Sequence, residues 1–302
     1  MRICSLLPGA TEIVAGLGLM DELVAISHEC DYPAEVRTKP VIIQCAVDPE
    51  KSSSADIDQQ VRAALNGAGS LYRLNEILLH QINPTLILTQ DLCGVCAVTP
   101  KELQRTLSAM PGDPQILCLN ASSLEDVLRD IEMIGAATGR REAAAGWILE
   151  LKARIEKVRT NVAMAPTRRV VCLEWLDPLY SAGHWVPELV TLAGGVDLIA
   201  RAGTESIEIT WDNVQRTAPH VLILMPCGFG IARTLRELDR LTSRPGWKKL
   251  PAVRNGEVYA VEGPAYFNRP GPRLVNGLEL LARLFHPSRF GMAFPEGAQR
   301  IT

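Results

Sequence analysis

Short runs of apolar residues without a polar break recur along this chain, and each is followed by a small-residue loop and then helical spacing. The first is Arg2-Ile3-Cys4-Ser5-Leu6, leading through a turn into Ala10-Thr11-Glu12-Ile13-Val14-Ala15-Gly16-Leu17-Gly18. The same order returns at Arg169-Val170-Val171-Cys172-Leu173, followed by Val186-Pro187-Glu188-Leu189-Val190-Thr191-Leu192-Ala193-Gly194-Gly195. Both read as a buried strand, a loop, and a short helix ended by glycine. A second echo pairs Ile82-Asn83-Pro84-Thr85-Leu86-Ile87-Leu88-Thr89 with Ala218-Pro219-His220-Val221-Leu222-Ile223-Leu224-Met225. Here a helix stops before proline, an all-apolar strand follows, and a Cys-Gly loop leaves its carboxyl end. The chain therefore reads as an approximate internal duplication. All-apolar strands imply parallel sheets covered on both faces, and ligands gather at the carboxyl ends of such strands.

Between the two halves the period changes to that of a helix. Ser122-Ser123-Leu124-Glu125 has the capping-box pattern, and Leu124, Val127, Leu128, Ile131 and Ile134 then mark one face. Gly139 interrupts the run. A second stretch from Glu142 to about Ala163 carries Trp147, Ile148, Leu151, Ile155 and Val158 on one side and charges on the other. The expected organisation is an α/β lobe over 1–121, a linking helix over 122–166, and a second α/β lobe over 167–302. Both lobes are expected to be Rossmann-like.

Composition narrows the functional classes. With 302 residues, 47% of them hydrophobic, the chain is long enough for two cores. A formal net charge of −3 and the lack of a long Lys/Arg run argue against nucleic-acid binding. No run of about 18 apolar residues is present, so no membrane span is expected. Met1-Arg2-Ile3-Cys4-Ser5-Leu6-Leu7-Pro8 is too short and too soon broken by proline for a secretory leader. A cytoplasmic location is the expectation from the chain as written, with a periplasmic or extracytoplasmic one if the start site is misassigned. Eight cysteines fit a reducing compartment, and Cys4, Cys118 and Cys172, each in an apolar run, read as core residues.

Candidate chemistry collects in the loops after the predicted strands. Asp91-Leu92-Cys93-Gly94-Val95-Cys96 holds a CxxC that reads equally as a dithiol redox pair, half a metal site, or a structural coincidence. Cys93 and Cys96 with Cys227 and a histidine would suit tetrahedral zinc, or iron. His28, Cys30 and His184 lie in comparable loops, where hydrogen bonding to backbone is the alternative to contact with a ligand. Glu174, Trp175 and Trp185 are either cap and core residues or a polar-aromatic ligand wall. Arg269, in a proline-glycine turn, suits a carboxylate, amide or phosphate. Nothing in the chain forms a Ser-His-Asp set, a phosphate-binding glycine loop or a paired-carboxylate motif.

Several segments, in order and spacing, resemble the helical-backbone class of ABC-transporter substrate-binding proteins, and the cobalamin-binding branch most. They are Ser5-Leu6-Leu7-Pro8-Gly9-Ala10-Thr11-Glu12, Ser27-His28-Glu29-Cys30-Asp31-Tyr32-Pro33, Ser181-Ala182-Gly183-His184, Ala193-Gly194-Gly195 and Tyr266-Phe267-Asn268-Arg269-Pro270-Gly271. The resemblance implies two α/β lobes joined by one long helix, with a large ligand held reversibly between them and no reaction catalysed. It further implies a cobalamin, haem or siderophore-type ligand, no required cofactor, and service as a cytoplasmic carrier or as the binding component of an ABC importer. It places the Asp31-Tyr32 loop, the loop after Thr89, the Trp175–Trp185 region and the Tyr266–Arg269 loop at the ligand, and the residues expected to contact it are His28, Cys30, Asp31, Tyr32, Tyr72, Asp91, Glu174, Trp175, His184, Trp185, Phe229, Tyr266, Phe267 and Arg269. The alternative on the same frame is a cytosolic metal-binding or thiol-redox protein, or enzyme, using Cys93 and Cys96. Two departures stand out: Ala55 to Gly69 reads as an insertion of about a dozen residues, and Ile77, with Glu76 beside it, falls where exported relatives offer a surface carboxylate, while Asp212 matches the second such position.

Overall fold

A computed structural model describes residues 1–45, 47, 52–66, 71–90, 113–291 and 293–301. The chain divides into two compact units. One comprises Met1–Lys51, Gln59–Ala121 and Glu125–Ile148, and the other Ser52–Asp58, Ser122–Leu124 and Leu149–Thr302. The boundary falls within a single helix, and the second unit takes in two short segments from the first half of the sequence.

The first unit is built on a six-stranded sheet. Its strands are β1 (Ile3–Ser5), β2 (Leu23–Ser27), β3 (Val41–Cys45), β4 (Tyr72–Leu74), β5 (Leu86–Thr89) and β6 (Gln115–Cys118), in the order β4-β3-β2-β1-β5-β6. All neighbours are parallel except β3 and β4. Every residue of β1 and β5 is buried, as continuous apolar runs between two covered faces require. Helix α1 (Pro8–Gly16) leaves β1, α2 spans Ser54–Asn66, and α3 (Glu76–Ile82) leads back into β5. The second unit repeats the scheme with β7 (Arg168–Leu176), β8 (Leu179–Ser181), β9 (Gly195–Asp197), β10 (Val221–Leu224), β11 (Val258–Val261) and β12 (Ala298–Arg300). Here β9, β7, β10 and β11 run parallel, flanked by antiparallel β8 and β12.

The duplication read in the sequence is therefore a duplication of strand pairs. The first echo relates β1 to β7 and the second relates β5 to β10; β1 lies beside β5 in one sheet, and β7 lies beside β10 in the other. The helix stops match as well. Helix α3 ends at Asn83 with φ 47°, immediately before Pro84. Its counterpart ends at Ala218 with φ 43°, immediately before Pro219.

The predicted linking helix is two helices. Helix α4 covers Leu124–Ala137 and α5 covers the 22 residues Arg141–Val162. Gly139, at φ +73°, breaks the run where L side chains resist the left-handed region. Leu151 and Val158 on α5 are buried, matching the predicted apolar face. The first amide of α4, Leu124 N–H, donates to Glu188 Oε2 at 2.8 Å, so a distant carboxylate serves this end of the helix. Cys4 and Cys172 are fully buried, and burial raises both thiols, Cys4 to about 12. Cys118 corrects the expectation for that trio, because it ends a strand at the sheet edge and is only half-buried. Among the described residues, no helix is long and apolar enough to cross a membrane.

Candidate functional site

In the first unit the candidates cluster where β1 and β2 end. Ser5 Oγ donates to the Leu7 carbonyl at 3.0 Å and accepts from Thr11 Oγ1 at 2.8 Å. Thr11 Oγ1 in turn lies 3.0 Å from Cys30 Sγ. This buried chain holds the start of α1 against the loop after β2. Cys30 is itself buried, and its sulfur belongs to that internal chain. His28 remains partly open, its ring centroid 5.8 Å from that of Tyr72 and its Nε2 3.5 Å from Glu29. Tyr32 is exposed on the same loop, and Asp31 Oδ2 is 4.0 Å from Arg37. Asp91, Cys93 and Cys96 lie outside the described residues.

The second unit gathers its candidates on the carboxyl side of β7, β10 and β11. The loop after β10 is pinned across the end of the sheet: Cys227 N–H donates to the Glu174 carbonyl at 3.0 Å. Asn268 bridges Gly228 N–H and the Met225 carbonyl, at 3.3 and 3.1 Å. Helix α6 (Ile231–Arg236) starts beside Glu262, which accepts from Ile231 N–H at 3.2 Å. This framing sets the Trp175 and Phe229 rings 5.0 Å apart and tilted by 47°. The Arg233 guanidinium lies over the Phe229 ring at 4.3 Å, a cation–π distance. Glu237, 5% exposed, receives Arg233 at 2.8 Å and Arg240 at 2.5 Å, and Arg240 also reaches Asp177. Burial pushes the Glu237 carboxyl up, but hydrogen bonds from Ser54 and Arg233 and the charge of Arg240 outweigh it and hold the group below its ordinary range.

Other predicted positions are placed elsewhere. Trp185 is buried and its Nε1 donates to the Phe267 carbonyl at 2.7 Å, while Phe267 is itself 1% exposed. Both are interior residues of this unit, as is Phe229. His184, at φ 51°, stacks on Trp185 with centroids 5.5 Å apart, and burial lowers its pKa against a smaller opposing effect of Glu205. Tyr266 ends α7 (Gly263–Tyr266) with its ring against Gly297, and Arg269 is half-buried in the following turn. Cys227 is exposed. No group of three or more His, Cys, Asp or Glu among the described residues is arranged to hold a metal ion.

The reading of the chain missed Ser54, Arg233, Glu237, Glu262 and Asn268. A faint signal existed for one pair: Arg233 and Glu237 are oppositely charged at i,i+4 just after a strand-end loop. Ser54 carried none, because its role depends on where a distant segment settles.

Residues 67–265 match the family model described as "Periplasmic binding protein". Among curated proteins, the uncharacterized ABC transporter substrate-binding lipoprotein YvrC of Bacillus subtilis is 25% identical over 297 residues, covering 96% of this chain and 81% of that protein. The vitamin B12-binding protein of Vibrio parahaemolyticus is 28% identical over 285 residues, covering 92% and 86%. Among solved structures, the periplasmic heme-binding protein RhuT from Roseiflexus sp. RS-1 superposes with a TM-score of 0.71 at 22% identity, covering 95% of this chain and 98% of that one. The periplasmic vitamin B12-binding protein BtuF of Vibrio cholerae gives 0.69 at 21%, covering 96% and 98%. These structural likenesses carry the fold. The names of these relatives lend no support to the expected cytoplasmic carrier.

Proposed function

Because this chain belongs to the periplasmic binding protein family, a family of binding proteins rather than enzymes, we propose that it reversibly binds a large, flat, metal-chelating ligand of the cobalamin or haem type for an ABC importer. The observation that carries the reading is the aromatic pair Trp175–Phe229 at the carboxyl end of the second sheet, with Arg233 above it. Aromatic rings cover a macrocycle face at small entropy cost, and the nearby donors meet its polar rim. His28, Asp31, Tyr32 and Tyr72 in the first unit, and Glu174, His184, Tyr266 and Arg269 in the second, are proposed to contribute further contacts. Relatives named as vitamin B12-binding proteins favour cobalamin, and structural neighbours named as heme-binding favour haem. Their description as periplasmic proteins or lipoproteins favours work outside the cytoplasm.

The test is a titration of purified protein with cyanocobalamin and with haemin, followed by visible absorbance and calorimetry. Saturable binding of one, weakened at least about tenfold by Trp175→Ala, is expected, since a central aromatic anchor carries energy on that scale. No saturable binding of either overturns the reading.

A further inference from the structure

Residues 52–58, Ser-Ser-Ser-Ala-Asp-Ile-Asp, are polar enough to suggest a solvated turn. Yet Ser54 is fully buried. In chain order the segment lies between β3 and β4 of the first sheet, but it packs with the second unit. It sits on the aromatic–arginine surface itself. Trp175 Nε1 donates to the Ser54 carbonyl at 3.1 Å, and Arg233 Nη2 donates to the Ser52 carbonyl at 2.7 Å. The segment is fixed by one clamp: Ser54 N–H and Oγ–H donate to the two oxygens of Glu237, at 3.1 and 2.7 Å. Under this cover Phe229 is 1% exposed. Arg233 Nε is buried and has no hydrogen-bond partner, so the guanidinium is not saturated by the groups around it.

We propose that residues 52–58 form an intramolecular strap that occupies the Trp175–Phe229–Arg233 surface in the ligand-free protein and is displaced by the ligand; this rests on the binding reading above. The strap offers its hosts two carbonyl oxygens, one to an indole N–H and one to a guanidinium. A ligand that replaces it presents the same chemistry, a flat apolar face with peripheral carboxylate or amide oxygens. Displacement exchanges the Trp175 and Arg233 hydrogen bonds for equivalent ones, breaks the Ser54–Glu237 clamp, and uncovers little apolar surface of the strap, because Ile57 is its one large apolar side chain. The strap therefore acts as a competitor in cis. It lowers apparent affinity by the fraction of molecules in which the surface is open, and it favours ligands whose rim supplies acceptors over bare apolar ones.

Ser54→Pro tests this. Ser54 is the first residue of α2, where proline fits a helix without strain, and the change removes both donors to Glu237. Amide exchange in 52–58 is expected to quicken in the free variant, and in wild type on saturation with cyanocobalamin or haemin. The variant's apparent Kd is expected to fall by about tenfold, the size of change that opening a mostly closed site produces. Tightening for haemin alone assigns Arg233 a carboxylate, and tightening for both assigns it any acceptor oxygen. Ser54→Ala, which keeps the N–H, is expected to fall between, and serves if the proline variant fails to fold. Unchanged or weaker binding with a loosened segment overturns the strap, as does a segment that stays protected in the saturated wild type. If neither ligand binds either protein, the binding reading falls and the strap is judged in the free state. Acrylamide quenching of Trp175, taken as the difference from Trp175→Phe, then rises in the variant, or stays flat and overturns the strap.

Discussion

Trp185 and Trp175 show how one residue type takes two roles in one unit. Trp185 turns its Nε1 to a main-chain carbonyl within its own core, whereas Trp175 donates to a segment from far away in the chain. Trp185→Phe leaves the Phe267 carbonyl without its donor, and a loss of about 1–3 kcal/mol is expected in chemical denaturation. Binding of ligand to the folded variant should be little changed. Asp130 on α4 supplies a test by pH. It is 6% exposed, and burial first, then Asp126, push its carboxyl up to about 7 against the opposing charge of Arg129. A folded-state pKa above the unfolded value means the native state holds the proton more tightly. The associated stability is complete below the unfolded value near 4 and is lost as pH rises through about 7. Asp130→Asn should therefore raise Tm more at pH 8 than at pH 5, a difference that thermal scans at the two values would read. Both residues were visible in the sequence, the tryptophan in a predicted loop and the acid on a predicted helix. Their partners were not, because each lies wherever a distant segment packs.

Among the elements, helix ends and helix contacts separate what is local from what is not. The two halves stop their helices at equivalent places, with Asn83 in one and Ala218 in the other, both in the left-handed region. Asparagine tolerates that conformation through its short polar side chain, and alanine does not. Ala218→Asn is expected to add about 0.5–1 kcal/mol, or a Tm gain of about 2 °C in a chain of this size. Gly135 on α4 presents the opposite case. A Cβ there would meet the Ala144 Cβ of α5 at 2.5 Å. Alanine gains up to about 1 kcal/mol in helix propensity over glycine, but overpacking at a fixed backbone contact costs about 1–3 kcal/mol. Gly135→Ala should therefore be destabilising, in contrast to the rule for exposed helices, and a urea titration gives the sign directly. Strand runs, helix periods, the break at Gly139 and the stops before Pro84 and Pro219 were all legible in the chain, since each depends on neighbours within a few residues. The donor to Glu188 and the close approach at Gly135 were not, since they join elements far apart in sequence.

For the molecule as a whole, binding should appear as stability. A ligand that binds only the native state at 100 times its Kd adds about 2.7 kcal/mol. Cyanocobalamin or haemin at that excess should accordingly raise Tm by several degrees, and a differential scan showing no shift for either would count against the binding reading. Repeated strand–loop–helix order, with apolar runs that demand cover on both faces, determined two sheets with parallel centres from the sequence alone; their antiparallel edge strands were not foreseen. Chain-long spacing of short motifs determined the family. The linear pattern also pointed to the strand ends as the place for function, because that location follows from topology rather than from side-chain detail. Tertiary structure decided which of the residues there are available. It buried Cys30, Trp185 and Phe267 within their own units and brought Trp175, Phe229 and Arg233 together beneath residues 52–54. It also laid Ser54 over them, held by Glu237. Those outcomes depend on contacts between residues up to 183 positions apart, and such contacts leave no period or spacing along the chain.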